Sequence, residues 1–218
     1  MWVKICGITS EEDALLAVAM GADAVGFVFA PSPRQMSPSA VAAITRRLPR
    51  EICTVGVFRD EEPSRVVDTV NRAGLDAAQL HGTETFTDCG YVSVRVPIVI
   101  KAFSAGDERL ARAAEYGADI VLVDAPSPGS GKVFDWRLAE GAPKGRRMVL
   151  AGGLDPDNVS EAIRTVHPWG VDVSTGVEET IGRKDPRKVR AFVQAARAAE
   201  PEPYDTDDEG PYDWQAEE

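Results

Sequence analysis

Two side chains in this sequence stand at the ends of apolar runs where a proton could be moved. Cys6 closes Val3-Lys4-Ile5-Cys6 directly before Gly7, and Asp124 closes the run 120–124. A cysteine acts as a base once it is a thiolate, which neighbouring cations or helix N-termini favour. An aspartate acts as an acid when burial or a like charge keeps its proton on. Each has a plainer reading as well. An unpaired cysteine often serves as a small buried hydrophobe, and an aspartate can cap the loop that follows it. Glycines supply a second signal. Gly152-Gly153 lets the main chain approach a ligand closely, and Ser174-Thr175-Gly176 can open a short helix whose free N–H groups face an anion, unless both are ordinary turns. Taken together, these residues predict a phosphorylated small molecule with a base and an acid flanking its sugar.

Such a site needs a frame that brings distant strand ends to one place. Strand-length apolar runs occur at 3–6, 24–29, 52–58, 77–80, 98–102, 120–124, 148–151 and 171–174. Helix-length stretches separate them, at 11–20, 38–48, 63–73, 83–89, 107–116, 135–139, 157–166 and 185–199. Near-continuous apolar strands between helices mean a parallel sheet covered on both faces. Eight such units in 218 residues predict an α/β fold, a single (β/α)8 TIM barrel over residues 1–199. An open doubly wound sheet is the alternative, and it usually needs fewer strands. Ser37-Pro38 and Asp155-Pro156 read as helix starts. Gly21-Ala22-Asp23, Gly74-Leu75-Asp76, Gly117-Ala118-Asp119 and Gly170-Val171-Asp172 form a weak repeat ahead of the even-numbered strands. The glycines read as left-handed helix caps. The fourth unit contains Gly90 and β-branched residues, so a short helix is expected there.

The net charge of −11 is concentrated at one end. Nine of the 35 acidic residues lie in 200–218, where no basic residue stands, leaving 26 acidic against 24 basic in the remainder. A near-neutral body lacks the basic face that nucleic acid would require. Residues 200–218 read as a flexible acidic tail, although Tyr204, Tyr212 and Trp214 leave docking open. No run approaches the ~18 apolar residues of a membrane span, and no signal segment leads the chain, so a cytoplasmic protein is expected. The three cysteines form no C-x-x-C pair, which suggests neither disulfides nor a metal site. Cys53 reads as core and Cys89 as incidental.

In a barrel the strand ends also offer Arg34 in Pro31-Ser32-Pro33-Arg34, His81 in Gln79-Leu80-His81-Gly82, Lys101, and Asp172 ahead of Ser174. With Lys4-Ile5-Cys6-Gly7-Ile8-Thr9, Val123-Asp124, Gly129-Ser130-Gly131-Lys132, Ala151-Gly152-Gly153-Leu154 and Val171-Asp172-Val173-Ser174-Thr175-Gly176-Val177-Glu178, these segments resemble the phosphoribosylanthranilate isomerase family of tryptophan biosynthesis. The resemblance runs from about residue 2 to 198. It implies an Amadori rearrangement of N-(5-phosphoribosyl)anthranilate to 1-(o-carboxyphenylamino)-1-deoxyribulose 5-phosphate, with Asp124 as general acid and Cys6 as general base. Arg34 would bind the anthranilate carboxylate, with His81 and Asp172 lining the substrate site. The phosphate would lie on Gly152, Gly153, Ser174, Thr175 and Gly176. No metal or organic cofactor is implied, and the chain would work as a monomer or homodimer. Thr175 and Ile181 depart from the family's commoner serine and proline. A histidine-pathway or dual-substrate sugar isomerase is the nearest alternative, but those barrels use an aspartate where Cys6 stands. A catalytically silent scaffold is the other.

Overall fold

Short valine-, isoleucine- and alanine-rich segments pair side by side to make the frame of the molecule. The computed structural model describes residues 1–125 and 147–200. Its strands are β1 (Trp2–Ile5), β2 (Ala24–Val28), β3 (Cys53–Phe58), β4 (Ala77–Leu80), β5 (Ile98–Ser104), β6 (Ile120–Asp124), β7 (Arg147–Leu150) and β8 (Gly170–Val173). They pair in chain order, and β8 pairs in parallel with β1 to close the barrel. Closure decides against the open sheet.

Between the strands lie α1 (Glu11–Ala19), α2 (Pro38–Thr45), α3 (Pro63–Ala73), α4 (Phe86–Ser93), α5 (Val159–Val166) and α6 (Pro186–Ala198). Ser10, Ser37 and Asp185 each cap a following helix by accepting from main-chain N–H groups. The fourth helix starts three residues later than expected, because Thr85 and Asp88 form a reciprocal capping box. Asp155 accepts from Asp157 N and Asn158 N and caps a turn, so α5 begins at Val159. The fifth connection, Glu108–Tyr116, winds as 3₁₀ turns broken at Arg112. Its buried residues are Leu110, Ala113 and Tyr116, and a spacing of three suits a helix with three residues per turn.

Three glycine–aspartate repeats behave as one device. Gly21, Gly74 and Gly117 have φ of 92°, 65° and 64° at helix ends. Asp23, Asp76 and Asp119 then accept from the N–H groups of Val3, Thr54 and Val99 at 2.7, 2.8 and 2.8 Å. Each therefore braces the start of the preceding odd-numbered strand. The fourth copy is different: Gly170 opens β8 itself, and Asp172 lies within the strand.

Ala24, Val55, Ala77, Ile100, Ala102, Ile120, Leu122, Val149 and Ala151 form the packed barrel interior. The intervening strand residues pack with the helices in the larger core. Cys53 is half-buried and packs against the barrel interior, as expected, whereas Cys89, expected to be incidental, is fully buried in the helix-facing layer. After β8 the chain makes an unforeseen hairpin, β9 (Glu178–Thr180) and β10 (Arg183–Lys184). Among the described residues no helix is long and apolar enough to cross a membrane. The expected glycine-rich loop 126–131, the helix 135–139 and the acidic segment 201–218 lie outside the described residues.

Candidate active site

Side chains alternate along a strand, so residues two apart share a face. On β6, Ile120 and Leu122 fill the barrel interior, which puts Asp124 at its upper rim. The same count carries β4 from Ala77 through Gln79 to His81, and β8 from Gly170 through Asp172 to Ser174. On β1 it runs from Trp2 through Lys4 to Cys6, one residue past the strand end. These side chains therefore reach the same end of the barrel.

Two cavities adjoin there. A cleft of about 490 Å³ is lined by Cys6, Arg34, His81, Asp124, Asp172 and Ser174 among others. A recess of about 160 Å³ is lined by Gly152, Gly153, Ser174, Thr175 and Gly176, again with Asp124 and Asp172. Asp124, Asp172 and Ser174 border both. All but one of the site residues expected from the sequence thus line these two adjoining cavities. Lys101 does not. It shares its face with Val99 and Phe103, points to the helices, and pairs with Glu84 at 2.6 Å while donating to Leu80 O and Gly82 O. It braces the β4 loop from behind.

The recess depends on close main-chain packing. Gly152 has φ of 88°, and a Cβ there would stand 2.3 Å from Ala125 N. A Cβ on Gly176 would stand 2.0 Å from Leu154 O, so the loops after β7 and β8 meet with no room for a side chain. Thr175–Val177 forms a single 3₁₀ turn after Ser174.

Asp124 Oδ1 accepts from Ala125 N at 2.7 Å. Its Oδ2 lies 3.1 Å from His81 Nε2, an approach not aligned as a hydrogen bond. His81 Nδ1 is 2.8 Å from Gln79 Nε2. With that amide nitrogen donating, the ring proton sits on Nε2, on the Asp124 side.

Cys6 is buried, and burial pushes its thiol up while Lys4 opposes the shift. Lys4 Nζ is 3.0 Å from Asp172 Oδ1. Burial works against the lysine charge, but Asp172 and Cys6 outweigh it and hold Lys4 above the usual lysine range. Arg34 is held as well. Its Nε and Nη2 donate to Glu178 at 2.7 and 2.6 Å, and Lys184 Nζ reaches the same carboxylate at 3.2 Å. Burial would raise the Glu178 carboxyl, but Arg34 and Lys184 bring it below the ordinary range.

Sequence reasoning missed Lys4 and Lys184, and it placed Gln79 and Glu178 at strand ends without giving either a role. For Lys4 the signal was present: a lysine two residues before Cys6 in an apolar strand shares its face. For Glu178 and Lys184 it was not, because the hairpin that pairs them was not legible. Among the described residues, no group of three or more His, Cys, Asp and Glu side chains stands where it could hold a metal ion.

Relatives of known type share this whole frame. The sequence model of N-(5'phosphoribosyl)anthranilate (PRA) isomerase matches residues 3–195. An N-(5'-phosphoribosyl)anthranilate isomerase of Desulforudis audaxviator is 50% identical over 204 residues, which cover 90% of this chain and 98% of that protein. The crystal structure of phosphoribosyl anthranilate isomerase from Thermus thermophilus aligns with a TM-score of 0.85 at 40% identity, covering 91% of this chain and 99% of that one. A phosphoribosyl anthranilate isomerase solved in complex with reduced 1-(o-carboxyphenylamino)-1-deoxyribulose 5-phosphate aligns at 0.80 with 42% identity, covering 91% and 99%. Agreement in sequence and fold over nine-tenths of its length places the chain in the N-(5'-phosphoribosyl)anthranilate isomerase family.

Proposed function

We propose that this chain converts N-(5-phosphoribosyl)anthranilate into 1-(o-carboxyphenylamino)-1-deoxyribulose 5-phosphate, with Asp124 as general acid and Cys6 as general base. It is an isomerase of tryptophan biosynthesis, interconverting an aldose and a ketose. What carries the residue roles is one observation. The Cys6 thiol and the Asp124 carboxyl border a single cleft that continues, past Asp172 and Ser174, into a glycine-walled recess.

In this reading the 5′-phosphate enters the recess and accepts from main-chain N–H groups around Gly152, Gly153 and the turn Ser174-Thr175-Gly176. The relative solved with a phosphorylated amino-sugar supports that class of ligand. The pentose then spans the cleft. Asp124 protonates the furanose oxygen, the C1′–O bond breaks, and the nitrogen lone pair forms a protonated Schiff base. Cys6, as thiolate, removes the C2′ proton, and the electron pair moves toward nitrogen to give an enolamine. Tautomerisation gives the ketone. The atoms balance within one substrate, and its own nitrogen relays the electrons. Arg34 receives the anthranilate carboxylate. Because Glu178 already occupies its Nε and Nη2, the carboxylate meets the other edge of the fork or displaces Glu178. His81 and Asp172 line the substrate.

Residues 1–199 form the catalytic barrel in this scheme, and 200–218 an acidic appendage to it. The working environment is the cytoplasm. Every residue given a role comes from one chain, so the chemistry is compatible with a monomer or a homodimer. The test follows the fluorescence change on turnover of freshly prepared phosphoribosylanthranilate, beside the histidine-pathway substrate. Cys6→Ala and Asp124→Asn should each lower kcat by at least ~10²-fold. Near wild-type turnover in either variant removes that residue from the mechanism.

A further inference from the structure

Lys4 is a charged side chain with 0% exposure, and the roles above leave it unused. An ammonium is costly to bury, and a fold retains one where partners compensate it. One partner is Asp172, at 3.0 Å. The other is found through Gly26 on the neighbouring strand. A Cβ built on Gly26 would stand 2.8 Å from Cys6 Sγ and 3.2 Å from Lys4 Nζ, which limits the separation of sulfur and ammonium to about 6 Å. They share a gap that exists because residue 26 has no side chain. We propose that Lys4, anchored by Asp172, is the positioning residue that makes Cys6 a base, its ammonium stabilising the thiolate that takes the C2′ proton.

The other charges around Cys6 do not replace it. Arg34, in the loop after β2, and Lys184, on β10, both interact with the sulfur, but both are also tied to Glu178. Asp172, on β8, opposes the thiolate, and Asp124 and His81 line the same cleft. Lys4 is the cation whose charge acts most strongly on the thiol. In the step itself, sulfur gains the proton and Lys4 keeps its own. The pair passes from ammonium–thiolate to ammonium–thiol, and Asp172 remains the counter-charge throughout.

This inference rests on the base role proposed for Cys6, so its test reads the thiol separately from turnover. The rate of Cys6 alkylation by iodoacetamide is followed against pH, with the modified peptide resolved by mass spectrometry, in wild type and Lys4→Gln. A charge at this range typically moves a pKa by roughly 1–3 units. The alkylation midpoint should rise by that amount in Lys4→Gln. In parallel, kcat near neutrality should fall about tenfold or more and recover as the pH is raised toward the new midpoint. If Lys4→Gln does not fold, Lys4→Gln/Asp172→Asn removes the opposed charges together and should move the midpoint upward by less. An unmoved midpoint in the folded variant overturns the proposal, and so does a kcat deficit equal at every pH. Full turnover by Cys6→Ala would instead remove the base role and leave the alkylation result standing.

Discussion

Replacing Gly152 with alanine should damage stability and turnover together, whereas the same change at Gly90 should do neither. At Gly152 the backbone has φ of 88°, which costs a residue with a side chain roughly 1–3 kcal/mol. The added Cβ would stand 2.3 Å from Ala125 N, 2.6 Å from Ala125 Cβ and 2.7 Å from Asp124 Oδ1. Two of those atoms belong to the chain directly after β6, so relief requires that chain to move. Overpacking of this kind adds about 1–3 kcal/mol. Restoring ordinary contact displaces Asp124 by something approaching 1 Å, and a misplacement of that size can cost ~10²-fold in rate. At Gly90, by contrast, a Cβ meets nothing within 4 Å. It lies inside α4, where alanine is favoured over glycine by roughly 0.5–1 kcal/mol. Urea unfolding and steady-state kcat on the two variants check the reasoning. Wild-type kcat and midpoint in Gly152→Ala, or equal destabilisation at both positions, would refute it.

Glu178→Gln should destabilise the fold by about 3–5 kcal/mol, because it leaves Lys184, with 0% side-chain exposure, facing a neutral group. A midpoint within error of wild type in urea would show that the Arg34–Glu178–Lys184 cluster contributes little. The Glu178 carboxyl is depressed in the fold, so its contribution is present above the ordinary value of 4.5 and is lost as pH falls through the folded value. The acid limb of stability should therefore be shallower in Glu178→Gln than in wild type. Burial pushes Cys89 up to about 11 from 9.0, so above pH 9 the unfolded chain releases a proton that the fold retains. Stability should then fall as pH rises from 9 to 11, by about 1–2 kcal/mol once solvent screening is counted. Cys89→Ala should flatten that alkaline limb; an unchanged slope would mean that other groups set it.

Local signals in the sequence carried the architecture a long way. Apolar runs alternating with capped amphipathic stretches are near-neighbour properties, and they are what closes this barrel. Gly21, Gly74 and Gly117 cap helices as their spacing implied, while Gly170 shows where a repeat misleads. The same Gly-x-Asp spacing lies inside β8, since a pattern does not record its register against the strands. Lys101 was misplaced for a related reason. The strand runs on to Ser104, so Lys101 lies in its middle, and it is one residue out of phase with Ala102; in a strand that single step turns a side chain from the barrel interior to the helices.

The sequence by itself determined where each strand lies to within one or two residues, and therefore that Cys6, Asp124 and the glycines of the last two loops share one rim of the barrel. It could not decide which charges oppose one another across that rim. Lys4 meets Asp172 through the pairing of β1 with β8, and Arg34 and Lys184 both meet Glu178 through a hairpin outside the barrel. Chain separations of 168 and 144 residues become contacts of 3.0 and 2.6 Å only once the ring closes. Electrostatic energy depends on distance through space and on exclusion of water, and both are properties of the closed ring rather than of any segment of it.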